Sequence, residues 1–170
     1  MIQRKQSIFL FLAAAILSVT YLFPIANFIG ETNSLVLYIY SVVSLVPDSV
    51  LPIGPYFVLP LLSLVTLITT LSIVTIFLFK NRRIQLFLVR FMLLLLLLYI
   101  GLFFFYYVEI LENMSGGIAS YPYGLTVPST EIQMPTIIFI VPLASAILLF
   151  MASRGIISDE KLVRSIDRLR

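Results

Sequence analysis

Two apolar runs, 55–79 and 84–108, are separated only by Lys80-Asn81-Arg82-Arg83, and within the runs Arg90 is the sole charged side chain. A helix of ~25 residues is roughly 37 Å long, more than the ~30 Å hydrocarbon core of a bilayer. So short a turn, 80–83, returns the chain to the face it came from, and the pair is predicted to be a transmembrane hairpin. Short loops rich in Lys and Arg stay on the cytoplasmic side. The turn is therefore expected inside, and the far ends of both helices outside.

Composition agrees with this reading and removes the alternatives. With 61% hydrophobic and 11% charged residues, the 170-residue chain has too little polar surface to cover a water-soluble core. It reads as one polytopic membrane domain over 1–170. A net charge of +3 would suit a nucleic-acid patch, but all eleven Lys and Arg fall at the N-terminus, in 80–90, or after 153. That distribution is positive-inside bias, and nucleic acid is not an expected partner. The absence of Cys and His removes disulfides, thiol chemistry and the commonest general base and metal ligand.

In chain order, Arg4 and Lys5 precede an apolar run, 7–28, too long for a signal-peptide core and lacking a small-x-small cleavage site. It is expected to be an uncleaved first span, bent or ended near Pro24, with Asn27 and Gly30 at its exit. The loop 29–54 contains 34–46, too short to cross and rich in β-branched and aromatic residues between breakers. A strand or hairpin is expected there, with a short interfacial helix as the alternative. The second span, 55–79, enters with Pro55 and Pro60 and carries Ser63, Thr66, Thr69, Thr70, Ser72 and Thr75. Such hydroxyls bond back to their own helix or let neighbours approach closely.

The third span, 84–108, holds Leu93–Leu98 and ends in Phe103-Phe104-Phe105-Tyr106-Tyr107; the helix is expected to face mostly lipid, with the tyrosines at its outer end in an aromatic interface belt. The second loop, 109–131, is expected to hold a short strand within 118–127, paired with the first loop. The fourth span, 132–153, has a kink expected at Pro142 and a small-residue patch at Ala144-Ser145-Ala146. Ala14 and Ser18 form a matching patch, which predicts close pairing of the first and fourth helices.

On this layout every Lys and Arg lies inside, while Glu31, Asp48, Glu109, Glu112 and Glu131 lie outside. The expected fold is an all-α integral membrane protein of four transmembrane helices, N-in/C-in. Its short periplasmic loops have room for β-structure, and a C-terminal cytoplasmic amphipathic helix occupies the tail 154–170. Ser158 suits the N-cap of that helix, and Asp159 and Glu160 suit its first turn. Leu162, Ile166 and Leu169 form one stripe opposite Lys161, Arg164 and Arg168. Asp159, Glu160 and Asp167 interrupt the cations, whereas a lipid-binding polybasic segment keeps an unbroken run. The tail is thus either a headgroup-level anchor or a docking surface for protein. Arg90 lies seven residues beyond Arg83 on the same face, roughly 10 Å deeper. It is expected to snorkel or to pair with a tail carboxylate rather than to serve transport.

There is no phosphate loop, metal-ligand cluster or nucleophile–base set, and none of the spans carries a carboxylate. Glu109 and Glu112 are expected to be water-facing. No catalytic, cofactor-binding or metal residue is therefore assigned, and the chain is not expected to be an enzyme. The first functional expectation is an accessory subunit of a larger membrane assembly. Its contact surface would comprise Lys80, Arg82, Arg83, Arg90, Asp159, Glu160, Arg164, Asp167 and Arg168. Its partners would be membrane lipids and membrane proteins, with protein-export machinery as one host to consider. The alternative is a small transporter or channel component, lined by the hydroxyls of the second span and Arg90.

Three stretches carry a resemblance: the opening MIQRKQSIFLFLAAA, the turn TIFLFKNRRIQLFLVR and the ending SRGIISDEKLVRSIDRLR. Together they resemble the DUF4293 family, small four-span inner-membrane proteins of Gram-negative bacteria. DEKLVRSIDRLR is the most specific part, because amphipathicity alone does not dictate that order. The resemblance implies the bacterial inner membrane and four spans, and no activity.

Overall fold

The computed structural model describes residues 5–29, 34–46, 53–54, 56–79, 81–115 and 137–167. Helix α1 (Lys5–Ser18) tightens into a 3-10 turn, Val19–Tyr21, and stops. Pro24 is the reason: it disfavours helical backbone at Phe23 and has no N–H to continue the ladder. The first apolar run is therefore not a helix to residue 28, and its last part is instead strand β1 (Ala26–Ile29). After it come β2 (Ser34–Leu37) and β3 (Val42–Ser44), and the three form an antiparallel sheet in the order β1-β2-β3. Phe28 faces Leu35, which faces Ser44, and Ala26 faces Leu37, which faces Val42. The Tyr38 N–H donates to the Ser41 carbonyl at 2.8 Å and closes the hairpin. The segment 34–46 is thus a hairpin and not an interfacial helix.

Helix α2 (Leu59–Phe77) leads through the short turn into α3 (Arg82–Leu102), which continues through a π-helical turn (Phe103–Val108) into α4 (Glu109–Ser115). The third span does not end at 108, because the rod runs on and lifts Glu109 and Glu112 onto a helix. α5 (Ile137–Asp167) is likewise one helix of 31 residues. The expected separate tail helix, capped at Ser158, is corrected to an unbroken continuation of the last apolar helix. Gly155 costs a helix only about 1 kcal/mol, and the buried positions Leu149, Ala152 and Ile156 carry one inward stripe across it. Packing on both sides holds the glycine helical. The strand expected within 118–127 lies outside the described residues.

The fold is mostly helical. Leu59–Phe77, Arg82–Met114 and Ile140–Glu160 are long and apolar enough to cross a membrane, whereas Gln6–Tyr21 is apolar but shorter. α1 packs against α2 and α5, and α3 packs against α2 and α5. Gly155 lies against Gln6 at the start of α1 and Asp159 against Arg82 at the start of α3, so α5 runs antiparallel to both. The α1–α5 contact is the most extensive, as the small-residue patches predict; of those patches Ala14 and Ser145 are buried and Ser18, Ala144 and Ala146 half-buried. Where neighbours are lipid, close approach of small residues and van der Waals contact stabilise helix pairs, not the hydrophobic effect.

Two cores divide the molecule. The bundle core contains Leu10, Ala13, Leu17, Ile68, Val89, Met92, Leu96, Leu149 and Ile156. The second packs the inner face of the sheet (Phe28, Leu35, Leu37) against Val58, Leu61, Tyr99, Phe103, Tyr107 and Leu111. The π-turn serves this second core. Tyr99, Phe103, Tyr107 and Leu111 are all buried and recur every four residues. In a regular α-helix each four-residue step overshoots a turn by about 40°. A π-turn absorbs one extra residue and keeps the stripe pointed at the sheet. Tyr107 then donates its hydroxyl to the Phe57 carbonyl at 2.6 Å. Its ring meets that of Phe57 edge-on, with centroids 4.8 Å apart.

Candidate functional site: the cationic end of the bundle

The end of the bundle opposite the sheet gathers the N-termini of α1 and α3, the C-terminus of α2 and the polar extension of α5. The α2–α3 turn is built from backbone: the Asn81 N–H donates to the Leu78 carbonyl at 3.1 Å, and the Gln85 N–H to the Asn81 carbonyl at 3.0 Å. The buried Gln85 side chain donates its Nε2 back to the Thr75 carbonyl at 3.2 Å. That carbonyl lies in the last turn of α2, where backbone acceptors run out of helical partners. One amide thus clasps the hairpin shut. One turn deeper, the buried Ser72 hydroxyl lies 3.2 Å from the Met92 sulfur.

Arg82 makes the contact that joins turn to tail. Its Nη1 donates to the backbone carbonyl of Asp159 at 2.9 Å. Arg82 and Arg83 occupy the first turn of α3, which carries no acidic residue. Cations at a helix N-terminus oppose the macrodipole at roughly 0.3–1 kcal/mol each. The arginines therefore do not serve the helix they begin, and only Arg82 is offset by a described acceptor. Arg83 and Arg90 are exposed, and among the described residues neither guanidinium has a hydrogen bond or ion pair. The expected pairing of Arg90 with a tail carboxylate is absent among them. Arg154 is exposed too, with its guanidinium 5.1 Å from the Phe150 ring centre. Asp159 and Glu160 are half-buried on α5. Arg164 and Asp167 fall within the α5 backbone, their side chains outside the described set, and Lys80 and Arg168 lie outside the described residues.

The buried amides are features that sequence reasoning missed. Gln6 is only 2% exposed, and neither its Nε2 nor its Oε1 has a partner; the Oε1 of Gln85 is unpaired as well. Gly155 lies against Gln6, where an added Cβ would stand 3.5 Å from the Gln6 Cβ. The available signal was an uncharged amide close beside charges at the start of an apolar run, as at Lys5-Gln6 and Arg83-Ile84-Gln85. An unsatisfied buried amide costs about 1–3 kcal/mol. Replacing Gln6 by Met, of similar length, is expected to raise unfolding stability in detergent by about that amount. A drop in melting temperature would show that Gln6 holds a polar partner.

The hydroxyls of α2 do not converge. Ser63, Thr66 and Thr70 are exposed, while Ser72 and Thr75 are buried on the other side. Each bonds back to its own helix: Ser63 to the Pro60 carbonyl at 2.9 Å, Thr66 to Leu62 at 2.7 Å, Thr70 to Thr66 at 2.7 Å, Ser72 to Ile68 at 2.9 Å and Thr75 to Leu71 at 2.6 Å. Among the described residues no three His, Cys, Asp or Glu side chains gather where they could hold a metal ion.

The family described as Domain of unknown function (DUF4293) matches the chain over residues 2–169. No curated protein and no solved structure matches it.

Proposed function

The chain belongs to the DUF4293 family, and we propose that it is a non-catalytic accessory subunit of a larger membrane assembly. In this reading it crosses the bacterial inner membrane four times, α1 included, with both termini in the cytoplasm. Its cationic end is the contact surface, formed by Lys80, Arg82, Arg83 and the 159–170 segment. The observation that carries the reading is the bond from Arg82 to the Asp159 carbonyl. It ties the first turn of α3 to α5 at Asp159, so that two charged segments far apart in sequence meet. The side chains left exposed there, Arg83 and Arg154, point to acidic partners. Four crossings are supported by the packing of α1 beside α2 and α5, antiparallel to α5. The inside placement is supported by the confinement of every Lys and Arg to the N-terminus, 80–90 and the chain after 153.

The test is purification from native membranes in mild detergent, comparing the wild-type chain with Arg83→Glu/Arg154→Glu. A stoichiometric membrane-protein partner is expected with wild type and is lost by charge reversal, while melting temperature stays the same. Recovery of this chain alone from both preparations overturns the reading.

A further inference from the structure

We propose that the outward face of α3 is a binding site for an anionic phospholipid, held by Arg83 and Arg90 through the phosphodiester. The proposal rests on the membrane placement of the proposed function, but not on the accessory-subunit role. Arg83, Phe87, Arg90 and Leu94 are all exposed, and their spacing of four, three and four residues places them on one line along the helix. That line faces away from the bundle, since α3 meets its neighbours through Gln85, Val89, Met92, Leu95, Leu96 and Tyr99, all buried.

An exposed guanidinium roughly 10 Å inside the start of a spanning helix is costly unless something anionic reaches it. No described residue does so. The surroundings fit the rest of a lipid. Phe87 and Phe91 stack nearly parallel, with centroids 6.4 Å apart and planes 5° apart, which makes a flat wall beside Arg90. Beyond it Leu94, Leu97 and Leu98 are 61%, 72% and 52% exposed, an apolar track for an acyl chain. Arg83 at the headgroup level and Arg90 reaching up from below bracket the depth of the phosphate. A guanidinium offers a phosphate several donors in a fixed planar fork. The uncompensated charge matters: a zwitterionic headgroup brings an ammonium that the same two cations repel.

The experiment is native mass spectrometry of the full chain from nanodiscs of equal parts phosphatidylglycerol and phosphatidylethanolamine. Wild type is expected to retain phosphatidylglycerol preferentially. Arg90→Leu and Arg83→Gln are each expected to lower that preference about fivefold, the equivalent of ~1 kcal/mol per basic residue near the surface. Arg90→Lys keeps the charge and is expected to fall in between. Thr70→Ala, at an exposed position on α2, is expected to leave the preference unchanged. Equal retention of both lipids by wild type, or an unchanged preference in Arg90→Leu, overturns the site. If wild type is released from native membranes by carbonate wash, the membrane placement itself fails, so the two failures are distinguishable. Arg90→Leu places an apolar side chain where lipid already is, so it folds.

Discussion

Deletion of Leu97 is expected to dismantle the end of the bundle that carries the sheet, whereas deletion of Phe105 leaves it intact. The two residues are comparably exposed, at 72% and 83%, so loss of side-chain contact cannot separate them. Backbone register does. Leu97 lies in regular helix, and its removal rotates the C-terminal part of the rod by about 100° against the N-terminal part. Tyr99 and Phe103, both buried against the sheet, would swing out of the second core. Losing several buried aromatic contacts at once places the cost at about 4 kcal/mol or more. Phe105 lies within the π-turn, Phe103–Val108, where the helix already carries one residue too many. Its deletion heals the turn to α-helix with the faces before and after it unchanged, within about 1 kcal/mol of wild type. Melting temperature in detergent and protease resistance of the 26–46 segment read the contrast. Equal loss in both variants would mean that the π-turn does not set the register of the rod.

Tyr107 gives the second large effect. It is fully buried, bonds to the Phe57 carbonyl at 2.6 Å and packs on the Phe57 ring. Tyr107→Ala is expected to cost about 3–5 kcal/mol, the range for emptying a buried aromatic site. Tyr107→Phe keeps the ring and loses one hydrogen bond, at about 1 kcal/mol. The Phe57 carbonyl just precedes α2, so the bond ties the start of one helix to the π-turn of another. Denaturant unfolding in micelles measures both variants. Similar losses for Phe and Ala would place the stabilisation in the hydroxyl and not in the packing.

The parts of the fold that are legible in the sequence share a physical cause: their signals are local. The α2–α3 hairpin comes from two long apolar runs around a cationic turn, and the 34–46 hairpin from β-branched residues between breakers. The α1–α5 pairing is legible because small residues are the means by which helices approach in lipid. The parts that are not legible depend on which segments pack together. Pro24 marks an end to α1, but that Ala26–Ile29 becomes a strand requires the β2 edge beside it. Gly155 and Ser158 have the look of a boundary, yet Ile156 is buried in the bundle core and holds α5 continuous. At the candidate site, Arg82, Arg83 and Asp159 stand out in the sequence as charges. The contact that forms, Arg82 to the Asp159 backbone carbonyl, uses the acidic residue's main chain and not its carboxylate.

By itself, the sequence determined which segments are apolar enough for a membrane and where every cation sits, because both are properties of composition along the chain. It did not determine which leucines face inward. Along Leu93–Leu98, Leu95 and Leu96 are buried while Leu94, Leu97 and Leu98 are exposed. When the outside of a helix is as apolar as its inside, no periodicity in residue type records the buried face. Only the tertiary structure decided it, by setting α2, α5 and the sheet against particular sides of α3, and by widening one turn so that a single stripe could serve two cores.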